Sequence, residues 1–505
     1  MKMERQMASG ISEMVHPSTS LSSEWRSINW KKAWTEVKRL QMRIAKAVKE
    51  EDYGRVKSLQ WVLTHSFYAK ALAVKRVTSN KGKNTPGIDG VIWKTAKAKM
   101  QAVHNLRQHG YKAQPLKRIY IPKKNGNKKR PLSIPTMHDR AMQALYKLAL
   151  IPVAETTSDR NSYGFRESRS CADAVAAAFN ALAKPNSATW ILEADITGCY
   201  DNISKSWLMD NIPIEKRILV RWLNAGYVDK GFTYPTRKGV PQGGIASGVL
   251  ANMTLDGLEK TVLQSVPYRS RVNFVRYADD FIITAKSRTI LEKYVLPAVK
   301  QFLGERGLEL SEDKTRITYI RNGFTFLGQT FRKHGNTLHI IPAKEGVLAL
   351  IRKIGMIIRK YVSAPLAGMV KKLNEVLRGW AYYHRHVVAS EAFKRVDNYV
   401  FDQLWRMLRK RHPKKSKKWL VKRYWRSNGK NASVFTATAK IKGKLRQYQV
   451  FRASAIGIKR HRKVKADANP YMSEYRKYFW IRRHYKEATQ LQELSARRMR
   501  MAAVS

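Results

Sequence analysis

Arg276-Tyr277-Ala278-Asp279-Asp280-Phe281 is the stretch whose reading decides the fold. Apolar residues lead into it (Val272, Phe274, Val275) and out of it (Phe281, Ile282, Ile283), so it reads as a tight turn between two short strands. Adjacent carboxylates at such a turn repel, and each raises the pKa of the other unless cations neutralise them. Mg2+ does so, because it takes hard oxygen ligands and keeps waters and substrate phosphates in its shell. An Asp-Asp dipeptide is also a common surface turn, and only the apolar flanks weigh against that plainer reading.

A second acidic segment lies upstream. Trp190-Ile191-Leu192-Glu193-Ala194-Asp195 is an apolar strand ending in a carboxylate, after which the chain turns through Gly198 to Tyr200-Asp201. A carboxylate at a strand end faces a cleft. With the two on the turn it makes a three-acid, two-metal site of the kind that activates a 3′-hydroxyl and clamps an in-line phosphoryl transfer. Asp201, followed by Asn202 and Ser204, reads instead as a cap of the next helix.

Around these segments, residues 115–340 mix short apolar runs with helical stretches. Ile119 to Pro122, Trp190 to Leu192 and Phe281 to Thr284 are expected strands; Asp139 to Leu150 and Ala172 to Leu182 are expected helices. Upstream, Trp34, Val37, Leu40 and Ile44 recur at helical steps, and Lys81 to Gly90 reads as a glycine-rich loop. Downstream, Leu373, Val376, Leu377, Trp380 and Tyr383 form one helical stripe, read as core. The expected class is α+β.

Lys and Arg number 97 against 37 Asp and Glu, a net charge of +60 over 505 residues. That charge runs through the whole chain, which favours nucleic acid over a membrane surface as the partner. From Gln403 to Ala466 there is no Asp or Glu among 64 residues, and 22 are Lys or Arg. Trp419, Tyr424, Trp425, Tyr448 and Phe451 interleave with them, a pattern suited to unpaired bases and phosphates, although some of these rings must serve the core. Two cysteines, Cys171 and Cys199, exclude a disulfide scaffold and a zinc site built on Cys pairs. No secretory signal and no run of about 18 apolar residues is visible, so a cytoplasmic protein with no membrane partner is expected.

Taken in order, these motifs resemble the reverse transcriptases encoded by bacterial group II introns. Tyr277-Ala278-Asp279-Asp280, the Asp195-to-Asp201 segment and Gly239-Val240-Pro241-Gln242-Gly243-Gly244 resemble the palm of that family. Lys123 with Arg130-Pro131-Leu132 resembles its fingers, and Asn161 to Arg166 the block that follows them. Gly307-Leu308 with Ser311 to Thr315 resembles the late palm, and Phe326-Leu327-Gly328 the primer-grip hairpin. Pro86 to Gly90 resembles the N-terminal extension, and Gly379-Trp380 with Tyr382-Tyr383-His384 the maturase, or thumb, domain.

The resemblance implies a right-hand polymerase, with fingers and palm on an antiparallel sheet, followed by an α-helical thumb/maturase domain and a basic C-terminal DNA-binding-like region. The implied division is a flexible leader at 1–24, the N-terminal extension and start of the fingers at 25–114, and fingers and palm at 115–340. A helical thumb/maturase domain follows at 341–428, then a basic C-terminal region at 429–505 without an HNH nuclease. Asp195, Asp279 and Asp280 would be catalytic and hold two Mg2+. Lys123, Arg130, Tyr200, Gln242 and Lys314 would serve the deoxynucleoside triphosphate, although Lys123 and Arg130 alone read equally as a solvated basic loop. Tyr200 would exclude a ribose 2′-hydroxyl, as a Phe often does in relatives. Arg166, Trp380, Arg411, Lys414, Lys415, Lys417, Lys418, Lys422 and Arg423 would bind RNA. His384-Arg385-His386 is too lean for a metal and reads as RNA-facing or structural. Glu167-Ser168 and Ser247-Gly248 depart from the Pro-Gly and Ser-Pro common in relatives, which loosens two turns.

The implied function is an intron-encoded RNA-directed DNA polymerase and maturase. It would bind intron RNA, assist splicing and copy the RNA into DNA during retrohoming, with DNA target and primer as further partners. It would be bacterial and nucleoid-associated when on DNA; the oligomeric state stays open. A host-adopted reverse transcriptase acting in defence or DNA repair is the alternative. A splicing factor with a dead polymerase is a third, opposed by the intact acids.

Overall fold

The computed structural model describes residues 20–122, 129–427, 433–441 and 443–484. The chain divides into two compact units. One comprises residues 1–157, 200–253 and 469–505, the other residues 158–199 and 254–468.

The first unit is built on helices. Trp30–Lys49 starts at Asn29, whose side chain accepts the Lys32 N–H, and buries Ala33, Val37, Leu40, Ile44 and Val48 at steps of three and four. Trp34, expected in that stripe, is 52% exposed because the buried face enters through Ala33. Helices Tyr53–His65, Phe67–Ser79 and Met137–Thr157 pack with it. Helix Leu21–Ser27, capped by Ser20, occupies the end of the segment expected to be a loose leader. A four-stranded sheet orders Lys129–Ile134, Leu116–Pro122, Tyr227–Asp229 and Phe232–Tyr234, with a parallel join at Leu116↔Tyr227. Helix Arg476–Arg483 is the last described element; the remainder of the expected basic helical tail lies outside the described residues.

The second unit carries the sheet expected from the acidic motifs. It is antiparallel and ordered Asn273–Tyr277, Asp280–Ala285, Trp190–Asp195, Arg316–Tyr319. Phe274, Phe281, Ile283, Ile191 and Leu192 are almost wholly buried, which explains the unbroken apolar runs. Helix Cys171–Leu182 packs on the Asn273–Tyr277 strand. Beyond a hairpin sheet (Phe324–Phe326, Gln329–His334, Thr337–Pro342), helices Lys344–Lys360, Leu366–His384 and Ser390–Arg411 share one apolar core around Ile354, Met369, Leu373, Leu377, Val396 and Val400.

The expected stripe on Leu366–His384 is right at Leu373 and Leu377. Val376 and Trp380 are only partly buried and Tyr383 is 39% exposed, because Ala381 and His384 complete the buried face instead. The same core continues through Tyr424, Trp425, Phe435, Ala437 and Val450, so the small sheet Trp425–Arg426, Val434–Ile441, Lys444–Gln449 builds onto the helices. Among the described residues, no helix is long and apolar enough to cross a membrane.

Candidate active site

The Asp195–Asp280 arrangement follows from strand register. Trp190–Asp195 pairs antiparallel with Asp280–Ala285, and the last pair in the ladder is Asp195↔Asp280. Tyr277 pairs with Asp280 across a two-residue turn made by Ala278 and Asp279. Ala278 sits at φ 60°, in the left-handed region that disfavours any residue with a Cβ. Gly164 makes that turn possible from below: a Cβ there would stand 2.4 Å from the Ala278 nitrogen.

Asp195, Asp279 and Asp280 therefore lie at one end of the sheet. Asp280 is pushed up to about 7, first by burial and then by the charges of Asp195, Asp279 and Glu193. Lys314 opposes this effect, and its ammonium contacts Asp195 Oδ2. Its placement is local: Ser311 N–H donates to the Asp195 carbonyl (2.8 Å), and Ile196 bridges Leu310. Glu193 pairs separately with Arg316 at 2.8 and 2.9 Å and accepts from the Thr318 hydroxyl at 2.8 Å.

Among the described residues no three His, Cys, Asp or Glu side chains stand together at metal-ligand spacing. The donor chemistry still fits a hard divalent cation. The oxygens are carboxylates, and Asp280 is raised first by burial and then by negative charge that a cation would offset.

Behind the turn lies a buried cluster that the sequence reading missed. Arg276 is wholly buried and pairs with Asp256 at 2.5 Å and Asp159 at 3.7 Å. Its backbone pairs with the 161–163 segment: Arg276 N–H donates to Asn161 O and Tyr163 N–H to Arg276 O. Burial raises Asp256 to about 6 even with the Arg276 guanidinium lowering it. Arg276 stands beside the motif, but both of its acids lie upstream, Asp256 by 20 residues and Asp159 by 117.

Of the expected nucleotide contacts, Lys314 is in the second unit with the acids. Tyr200, Gln242 and Arg130 are in the first, and Lys123 lies outside the described residues. Within the first unit Arg130 lies on the Lys129–Ile134 strand, which the 239–243 loop meets through Ser133. Val240 N–H donates to the Tyr200 carbonyl and Ser133 N–H to the Gln242 carbonyl. Gly239 and Gly243 permit this threading, since a Cβ at either would come within 2.4 Å of a backbone oxygen. Gln242 lines a cavity of about 440 Å3 with Arg118, Ser133, Asp201, Tyr227 and Lys238. Asp201 is thus not the helix cap; Ser204 takes that place, accepting from Trp207 N–H.

The expected RNA contacts divide. Lys414, Lys415, Lys417, Lys418, Lys422 and Arg423 are exposed, with Lys415 and Arg423 over the Trp419 ring at 5.5 and 5.3 Å. Arg166 is buried, donating to the Asp159 and Ser162 carbonyls, so it braces the fold rather than facing RNA. Arg411 is half-buried and donates to the carbonyls of Val362 and Ala364. Trp380 packs against His384 and Phe393. His384 is structural: it is buried, hydrogen-bonded to Gln329 at 2.9 Å, and lowered to about 4, mainly by burial.

Three family models match the chain. Residues 25–106 match the N-terminal domain of reverse transcriptase, residues 121–331 the reverse transcriptase (RNA-dependent DNA polymerase), and residues 347–425 the maturase-specific domain of group II introns. The chain belongs to the group II intron reverse transcriptase–maturase family. It is similar to the group II intron-encoded protein LtrA of Lactococcus lactis subsp. cremoris, 30% identical over 331 residues, covering 52% of this chain and 54% of LtrA. It is also similar to the protein YkfC of Escherichia coli (strain K12), 28% identical over 336 residues, covering 58% of this chain and 87% of YkfC. A putative COX1/OXI3 intron 2 protein of Saccharomyces cerevisiae is 26% identical over 370 residues, covering 60% of this chain and 41% of the yeast protein. The chain spans about half the length of LtrA. As a reverse transcriptase–maturase it joins the acid-bearing sheet to the Lys344–Arg411 helices in a single unit and a single chain.

Proposed function

We propose that this protein is an RNA-directed DNA polymerase and maturase that binds group II intron RNA, assists its splicing and copies it into DNA during retrohoming. The observation that carries the polymerase reading is the Asp195↔Asp280 pairing at the sheet end, with the Asp280 carboxyl pushed up to about 7 by burial and then by the neighbouring acids. Asp195, Asp279 and Asp280 would hold two Mg2+, which would supply the activation of a primer 3′-hydroxyl and the neutralisation of a leaving pyrophosphate.

The chain's own residues do the rest. Lys314 holds Asp195 as its counter-charge. Arg130 and Lys123 meet the triphosphate, where cations offset charge on the leaving group. Gln242 sits beside the nascent base pair, and the Tyr200 ring excludes a ribose 2′-hydroxyl. The exposed lysines of 414–423 take phosphates of the RNA, and the Trp419 ring beside Lys415 and Arg423 offers a stacking face. The protein acts in the bacterial cytoplasm, bound to RNA and then to DNA.

Primer extension on an RNA template with the four deoxynucleoside triphosphates, with and without Mg2+, tests the polymerase reading. Magnesium-dependent product that disappears in Asp279→Ala supports it; extension by that variant refutes the assignment. The maturase domain match favours an intron RNA over a host-adopted role. Sequencing the RNA that co-purifies from the native cell separates the two.

A further inference from the structure

From Val450 to Ala468 the chain forms no strand and no α-helix, only one 3-10 turn at Ala453–Ala455. Irregular backbone has no ladder to take its N–H groups, so they need partners from elsewhere. Residues 451–466 include six Lys or Arg and no Asp or Glu, so any carboxylate that holds this segment is borrowed. Two carboxylates hold it. Asp397, on the Ser390–Arg411 helix, accepts from Ala453 N–H at 2.8 Å, Ser454 N–H at 2.9 Å and the Ser454 hydroxyl at 2.5 Å. Asp173, wholly buried in the first turn of helix Cys171–Leu182, accepts from Val464 N–H at 2.7 Å and from His461 Nε2 at 2.9 Å. A carboxylate only accepts, so the His461 nitrogen facing it carries the proton.

The pins sort by position along the segment. Those of 451–459 go to the maturase helices: besides the Asp397 bonds, Phe451 N–H donates to the Asn374 side chain at 2.8 Å and Lys459 N–H to the Arg385 carbonyl at 2.8 Å. Those of 461–468 go to the palm. Beyond Asp173, the Ala468 carbonyl accepts from Arg169 at 3.0 Å, and Asp467 pairs with Arg160 at 2.6 Å. Helix Cys171–Leu182 in turn packs on strand Asn273–Tyr277, which leads into the acidic turn. Asp173 divides its oxygens between two tasks. Its Oδ2 accepts from the Ser170 N–H and hydroxyl and closes the start of its own helix, whereas Oδ1 takes Val464 and His461.

The maturase helices are also tied to the hairpin sheet, by the Tyr383 hydroxyl on the Leu327 carbonyl at 2.8 Å and by Val388 N–H on the Ile340 carbonyl at 3.0 Å. Bodies joined at one place swing about it, and a second attachment removes that freedom. We propose that residues 451–468 are a strap tying the maturase helices to the palm, that Asp397 and Asp173 are the positioning residues at its two ends, and that the strap limits release of the primer–template duplex between nucleotide additions. The proposal rests on the polymerase reading above. Neither acid belongs to the sheet-end trio, so a single addition is spared while release between additions is not. Where release passes through a strap-open state, its rate rises by the factor by which that state gains population.

The test compares the full-length wild type with Asp397→Ala, His461→Ala and the double variant. Ser170→Ala is the control, because it removes a bond from the same Asp173 carboxylate on the helix side. Copying a long RNA template in the presence of a trap for released enzyme reads the number of nucleotides added per binding event. Losing a hydrogen bond to a charged group opens the strap roughly tenfold, so either single variant is expected to shorten that number by up to about tenfold. The kcat for adding one nucleotide is expected to stay within about twofold of wild type. Opening at either end frees the strap, so the double variant is expected to fall well short of the roughly hundredfold product of the singles. Ser170→Ala is expected to copy as far as wild type. Wild-type copying length in either single variant, losses that multiply, an equal loss in kcat, or an equal loss in Ser170→Ala would overturn the proposal.

Hydrogen exchange reads the strap without activity. The Ala453, Ser454 and Val464 amides are expected to be protected in wild type, and those of Ala453 and Ser454 to exchange roughly tenfold faster in Asp397→Ala. Unprotected amides in wild type, or unchanged exchange in the variant, would sink the strap. A wild type that extends no primer would sink the polymerase reading, while exchange still decides whether the strap is anchored.

Discussion

Replacing Arg276 by methionine leaves Asp256 and Asp159 buried without their guanidinium. Arg276 has no exposed side-chain surface and Asp256 only 8%, so solvent cannot take over the lost charge. Removing one partner of a buried pair costs about 3–5 kcal/mol when the other stays ionised. The cost depends on pH, and the sign follows from Asp256. Its folded pKa of about 6 lies above the ordinary 3.8, so the native state keeps a proton that the unfolded chain has released between those values. Stability is highest below about 4 and falls as pH rises through 6, by roughly 3 kcal/mol for a shift of about two units.

Without Arg276 the folded pKa of Asp256 rises further, because the guanidinium was the main influence lowering it. The fall then continues to higher pH in the variant than in wild type. Arg276→Met is therefore expected to lie about 1 kcal/mol below wild type at pH 5, where Asp256 is protonated in both and mainly hydrogen bonds are lost. At pH 8 the gap is expected to reach about 3–5 kcal/mol. Urea unfolding followed by circular dichroism at pH 5, 6.5 and 8 measures the gap. A gap of the same size at all three pH values would refute the electrostatic account and leave only lost packing.

Asp280→Asn is expected to raise the melting temperature above wild type at pH 8 in chelator, and to match it at pH 5, where Asp280 is already protonated; a variant less stable than wild type at pH 8 would contradict the crowding of acids. Asp279→Ala is expected to abolish primer extension while leaving intron splicing intact, measured on the same ribonucleoprotein preparation. Lys417→Glu with Lys418→Glu is expected to weaken RNA binding and to reduce the slope of log affinity against log salt by about 0.7 or more per lost phosphate contact; an unchanged slope would place these lysines away from RNA. His384→Ala is expected to destabilise the second unit by about 1–3 kcal/mol through the unpaired Gln329 amide, as read by chemical denaturation.

The acids were legible early because each ends or begins a short apolar strand, and strand pattern is a local property. Asp195, Asp279 and Asp280 needed only two segments and one register to meet. The stripe on Leu366–His384 was legible at Leu373 and Leu377 but failed at Tyr383, since a helix shows its apolar residues without showing which neighbour covers them. Arg166 illustrates the same gap for charge. Its motif position pointed to RNA, while its guanidinium spends its donors on the carbonyls of Asp159 and Ser162 inside the fold.

By itself the sequence determined the α+β class, the order of the motifs, the basic character of the chain and the three acids, because these depend on residue type and on spacing along the chain. Only the tertiary structure decided which charges face solvent and which pair in the interior. It placed Arg276 between Asp159 and Asp256, set Lys314 on Asp195, and brought the Tyr383 hydroxyl to the Leu327 carbonyl. Those partners are separated by up to 119 residues, and contact at that distance is a product of strand register and helix packing, which no local pattern records.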